Sequence, residues 1–333
     1  MPGDLAWLTV SDGPPSPPVR LHTLLTAWQH DWPVVAAAAF EAAAIGWYVV
    51  SVRRLSRRAR RWSAWRTAAF VCGVLVVVVA TQSGLAAYDD TNFTAHVAQH
   101  LLLMNLAPPL LAMGAPVTLA LQASSRSTTT RLLKILHSPP AALLTHPLVA
   151  GGLVVATMYG YFLTPLYRLS IENTWFHYYT HLHFLLAGCL YWWPIVGVDV
   201  LPRRWGHGAK LLLLFASIPW SSFLGVAILE MSTPIAPSYT LADTHTGGGL
   251  LWAASELFTV IFMLVVFADW AKADLRQAVR YDRQANGTPA CTVEETTPPA
   301  GEPDPRGSAG DQQLSTWAFT KAAIRRPGDP YQQ

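Results

Sequence analysis

The chain has 333 residues, of which 52% are hydrophobic and only 13% charged, with 14 tryptophans. That is too apolar for an ordinary soluble domain, and the apolar residues come in blocks of about 20, the length a helix needs to cross a bilayer. A net charge of +3 and three scattered cysteines (Cys72, Cys189 and Cys291) exclude a nucleic-acid partner, a disulfide framework and a thiolate zinc or iron–sulfur site.

Taken in chain order, residues 1–32 form an extracytoplasmic segment with no basic stretch followed by an apolar run, so no cleavable signal peptide is expected. Within it Leu21, Leu24, Leu25, Trp28 and Trp32 recur at helical spacing, predicting a short amphipathic helix on the outer surface. Seven spans follow in a membrane domain of residues 33–270: Pro33 to Val52, Thr67 to Ala87, His96 to Gln122, Thr145 to Leu166, His177 to Val198, Lys210 to Glu230 and Gly249 to Trp270. Seventeen Lys and Arg fall on one side of these spans, seven of them between Arg53 and Arg66, against only Arg20 and Arg168 on the other. Basic loops stay in the cytoplasm, so the N-terminus is expected outside and the C-terminus inside. Tryptophans mark the same frame: Trp32, Trp175 and Trp252 outside, Trp62, Trp65, Trp205 and Trp270 inside. Residues 271–333 form a cytoplasmic tail. After Arg283 it turns rich in Pro, Gly and Thr, as in TPPAGEPDPRGS, and cannot bury a core, so it is expected to be largely disordered.

The third span carries Pro108 and Pro109, which remove backbone donors and predict a kink near mid-membrane. Just above them are His96 and His100, with Met104 a further turn down; the fifth span carries His177 and His181. Residues four apart share a helix face about 6 Å apart along the axis, so each pair forms a ladder descending from the outer end of its span. Ionisable groups are costly in lipid and are kept where they work or line a cavity, and imidazole plus thioether without thiolate suits copper. A lone histidine at a helix end is more often an interfacial residue, which is the reading for His183, His22, His30, His137, His146 and His207. Two i,i+4 pairs meeting at one depth point to a shared metal or cofactor site. Met104 is as readily a packing residue as a ligand. Glu41 and Glu256 fall at the same depth as candidate ligands, hydrogen-bond acceptors orienting the imidazoles, or carriers of protons released on metal binding. The segment TLADTHTGGGLLW reads as an outer loop, with Asp243 and His245 as ligands at the mouth of the site. Asp89 and Asp90 on the second outer loop could likewise attract cations, though an acidic, solvated turn explains them adequately.

The stretch HVAQHLLLMNLAPPLLAMGAPVTLAL, from His96 to Leu121, resembles the signature span of the membrane-integral CtaG family, assembly factors of caa-type cytochrome c oxidase. THPLVAG around His146, the run from Trp175 to Asp199, and GGGLLWAASEL from Gly247 to Leu257 support the resemblance, which covers roughly residues 33–270. It implies a bacterial plasma-membrane protein of the respiratory chain that is not an enzyme. Cytochrome c oxidase subunits and membrane lipid are the implied partners, and copper delivery at the outer side is the implied task. His96, His100 and Met104 match the family's HxxxHxxxM, and His177 and His181 its second pair; His245 stands where the family often has Gln or Arg. Three other functions fit the same residues. One is a copper importer with Cys72 and Cys189 as exit ligands. Another is a b-type haem protein with His100 and His181 as axial ligands. The third is a structural scaffold for an oxidase subunit.

Overall fold

A computed structural model describes residues 27–28 and 30–287. The amphipathic helix expected before the first span and the tail beyond Gly287 lie outside the described residues, apart from Trp28 and Trp32. All regular structure among the described residues is helical. The described residues up to Arg280 form one compact unit; of the second, residues 281–287 are described.

Helix α1 (Trp32–Arg57) opens with Pro33 in its first turn, where no backbone donor is needed, and closes on Arg54 and Arg57, which complement the carbonyl end. Helix α2 (Ala64–Gln82) runs almost directly into a single turn, α3 (Gly84–Tyr88), started by the Ser83 side chain accepting from Leu85 N–H. The predicted third span is built in pieces. Helix α4 (Phe93–Leu101) passes into a π-helical turn at Leu102–Leu106, then α5 (Ala107–Met113) and α6 (Pro116–Ala123). Pro108 and Pro109 cannot donate to the carbonyls one turn back, and the ladder accommodates this by widening just before them: Ala107 N–H reaches back to Leu102. A second break follows at Ala115, left-handed at φ 49°, where Asp199 receives the free N–H groups of Val117 and Thr118.

The amphipathic α7 (Arg126–Leu136) and the short α8 (Pro139–Leu144) lead to α9 (Pro147–Phe162), α10 (Leu166–Glu172) and α11 (Thr174–Val196). Helix α12 (His207–Leu229) and the 47-residue α13 (Leu241–Gly287) complete the chain. Among the described residues five helices are long and apolar enough to cross a membrane, or six if α9 and α10, bent by 65° at Leu163–Pro165, count as one broken span. The chain is therefore an all-α, multi-pass membrane protein. The fourth span expected over Thr145 to Leu166 corresponds to α9, which ends at Phe162 and turns into α10 because Pro165 denies the helix a continuation.

Packing between helices in lipid relies on van der Waals contact and small residues. The largest apolar cluster joins Phe93, Leu103, Met104, Phe162, Phe184, Leu224 and Leu251. A second cluster holds Tyr191, Trp192 and Trp205, and a third Tyr48, Phe70 and Leu119. Trp205, expected at the inner interface, is buried and donates to the Thr145 carbonyl at 3.0 Å. Trp32 and Trp175 are exposed side by side, their rings 5.6 Å apart, as interface residues are expected to be.

Candidate metal centre

Both histidine helices begin at an asparagine whose side chain caps the first turn. Asn92 accepts from Ala95 N–H at 2.8 Å and Asn173 from Phe176 N–H at 3.0 Å. Each cap is followed four and eight residues on by histidine, so the two pairs leave their helices at equal distance from the start. The pattern Asn-x3-His-x3-His is a register signal in the sequence that the histidine spacing alone does not reveal. Helix packing then brings the pairs face to face. His96 stacks on His177 with ring centroids 5.2 Å apart, and His100 lies 5.7 Å from His181. All four residues are between 0 and 8% exposed.

The solvated-turn reading of Asp89 and Asp90 holds for only one of them. Asp90 faces solvent, but Asp89 turns inward and is 5% exposed. Its Oδ2 accepts from Gln99 Nε2 at 3.2 Å, and its carbonyl accepts from Tyr239 Oη at 2.7 Å and from His96 Nδ1–H at 3.3 Å. Burial pushes the Asp89 carboxyl well above the usual carboxylate range; neighbouring Asp90 adds to this and the Gln99 hydrogen bond opposes it. Sequence reasoning missed Asp89 because a turn residue's direction depends on what the turn packs against.

Asp89, His177 and His181 each offer a ligand atom, all within 4.8 Å of one another. Oδ2 of Asp89 stands 3.6 Å from Nε2 of His177, too far for a hydrogen bond. Two donors bound to one tetrahedral ion at ~2.1 Å stand about 3.4 Å apart, so the spacing fits shared ligation. The hydrogen-bond inventory agrees. Nε2 of His177, Nε2 of His181 and Nδ1 of His100 are buried with no protein partner. A buried polar atom left unpaired costs about 1–3 kcal/mol, and the two histidine Nε2 atoms beside the Asp89 carboxylate are accounted for together by a cation. The residues thus form a buried Asp/His/His metal-binding triad.

The other sequence candidates sit apart from it. Met104 is buried in the π-turn and lines, with Met158, an apolar cavity of about 440 Å³ whose wall contains no histidine. Glu41 is paired with Gln82 at 2.5 Å, and Glu256 accepts from Ser221 and Ser222 at 2.9 and 2.7 Å. The loop expected before the last span is corrected: from Leu241 onward it is the first turns of α13, and Gly247 there leaves room for the ring of Phe93 to pack against the helix. Asp243 there caps α4, and His245 donates to the Met231 carbonyl at 2.9 Å, so neither is a ligand at the mouth. His183, expected to be structural, pairs with Thr157 Oγ1 at 2.9 Å. Cys72 faces outward on α2, and Cys189 is half-buried.

A family described as cytochrome c oxidase caa3 assembly factor (Caa3_CtaG) matches residues 46–273. Uncharacterized proteins of Mycobacterium leprae (strain TN) and Mycobacterium bovis are each 34% identical to the chain over 292 and 290 residues, 82% of its length. The chain spans only 44% and 43% of those relatives. No solved structure matches it.

Proposed function

We propose that this chain, which belongs to the cytochrome c oxidase caa3 assembly factor family, binds copper at the histidine cluster and passes it to an oxidase subunit during assembly. The observation that carries this reading is the pair of orphaned imidazole nitrogens, Nε2 of His177 and Nε2 of His181, beside Asp89. Imidazole and carboxylate without thiolate form a donor set that accepts copper, and a site built for cargo needs ligands without a reactive centre. The protein on this reading is a carrier and not an enzyme.

In this proposal α11 is a membrane span like the five or six more apolar helices, giving seven crossings; its polar histidines and tyrosines lower its hydropathy because they serve the site. The N-terminus faces outward and the C-terminus the cytoplasm, in keeping with seven arginines between Arg53 and Arg66. Copper is then held at the outer side by His96, His100, His177 and His181 with Asp89. Met104, four residues beyond His100, is a thioether outside this ligand set. Haem fits less well: the cavity of about 440 Å³ has no histidine in its wall, and His100 is packed on Phe184 at 4.2 Å between ring centroids, leaving no slot for a macrocycle.

The test is a deletion strain complemented by parent or Asp89→Asn, His181→Gln chains. Oxidase subunits in the deletion membranes should be present but short of copper and inactive, with the parent chain restoring both and the variant neither. Full oxidase copper in the deletion strain overturns the proposal. Lowered total cytoplasmic copper with normally loaded oxidase would favour import instead.

A further inference from the structure

The four imidazoles do not converge on one point. His177 and His181 share Asp89, while His96 and His100 turn toward a different oxygen, the phenol of Tyr161 on α9. Nε2 of His96 and Nε2 of His100 are 2.9 Å apart, and the Tyr161 oxygen lies 3.0 Å from the first and 3.2 Å from the second. The three atoms form a nearly equilateral triangle, with His96, His100 and Tyr161 all at least 96% buried.

Counting hydrogens shows why this triangle is unusual. Nδ1 of His96 faces the Asp89 carbonyl, which can only accept, so Nδ1 carries the hydrogen and the neutral ring presents a lone pair at Nε2. Ser170 donates its single hydrogen to the Tyr167 carbonyl at 2.7 Å. Its oxygen, 2.7 Å from the Tyr161 phenol, therefore accepts from Tyr161, whose own hydrogen points away from the histidines. The His96 nitrogen and the Tyr161 oxygen then face each other at 3.0 Å lone pair to lone pair. His100 Nε2 has at most one hydrogen to serve three mutual contacts. A cation relieves all three, and sides of 2.9–3.2 Å approach the ~3.3 Å edge of a tetrahedral shell with ~2 Å bonds. A metal-ligating histidine whose other nitrogen donates to a backbone carbonyl is the usual means of fixing the tautomer. The carbonyl here belongs to Asp89, whose side chain serves the neighbouring triad.

We propose that His96, His100 and Tyr161 form a second metal position beside the Asp89–His177–His181 triad, making the cluster a two-ion site. The inference rests on the copper reading above and refines it: each histidine pair holds one ion with its own oxygen donor. Binding of a cupric ion replaces the phenol O–H bond by a copper–oxygen bond, and the proton leaves to the buffer.

The full chain in detergent, titrated with cupric ion alone and followed by metal analysis and visible absorption, tests this. The expected result is two ions per chain and a phenolate-to-copper charge-transfer band. Tyr161→Phe should remove the band and lower the content to one ion; His100→Gln should do the same, so loss of fold in one variant leaves the other decisive. Asp89→Asn should also lower the content to one ion but keep the band, since the His96 contact is to the main chain. One ion in the parent, with Tyr161→Phe unchanged and Asp89→Asn emptied, overturns the second position and leaves the triad standing. No bound copper in the parent overturns both readings together.

Discussion

Asp243 on α13 accepts the main-chain N–H of Phe93 at 2.5 Å, and through its other oxygen the N–H and hydroxyl of Thr94 at 3.1 and 2.7 Å. A residue 150 positions away thus caps the helix that carries His96 and His100. A carboxylate there complements the free donors and positive end of the helix. Asp243→Ala should cost about 2–3 kcal/mol, the range for hydrogen bonds to a charged group, with Asp243→Asn losing less. Thermal unfolding in detergent and copper titration check this. An unchanged melting temperature with full copper binding in Asp243→Ala would show that the cap is dispensable.

Gly188 on α11 sets how closely that helix meets the π-turn of the third span. A Cβ added there would sit 2.5 Å from the Met104 carbonyl and 2.8 Å from the Pro108 ring, and the main chain cannot yield as a side-chain tip can. Gly188→Ala should therefore push α11 away, at about 1–3 kcal/mol for overpacking, and separate His181 from His100. Weaker copper affinity together with a lowered melting temperature is expected. Gly152, which has nothing within 4 Å of an added Cβ, is the control: Gly152→Ala should leave both unchanged.

Topology is testable at two exposed sites, in a chain whose Cys72, Cys189 and Cys291 are replaced by serine. A cysteine at Asp90 should react with an impermeant thiol reagent on intact cells, and one at Arg58 only after the membrane is opened. The reverse pattern would put the histidines on the cytoplasmic side and exclude delivery from outside.

Glu41 and Glu256 have partners of their own: Gln82 for the first, two serine hydroxyls for the second. Glu256→Gln keeps an acceptor for both serines, so copper content should match the parent's, as should that of Glu41→Gln. A loss of bound copper in either variant, measured by metal analysis of folded protein, would tie that carboxylate to the metal cluster after all.

Much of this architecture is legible in one dimension because lipid imposes it. Long apolar blocks must be helical to satisfy their backbone groups, so the spans, the proline-induced irregularity before Pro108 and the two histidine ladders follow from residue order alone. The asparagine caps at Asn92 and Asn173 place both ladders at the same distance from the start of their helices. Residue order did not determine which oxygen meets which pair. Asp89 lies in a two-aspartate turn where one side chain goes to solvent and the other inward, a choice made by Tyr239, Gln99 and His96 packing around its main chain and side chain. Tyr161 lies among other aromatics on α9, and only the approach of α4 selects it. Asp243 reads locally as part of a glycine-rich loop, yet becomes the cap of a helix 150 residues earlier. Periodicity along a chain records which face of a helix is apolar; the partner opposite a polar atom is decided by contacts between segments far apart in sequence, and only the assembled helices contain them.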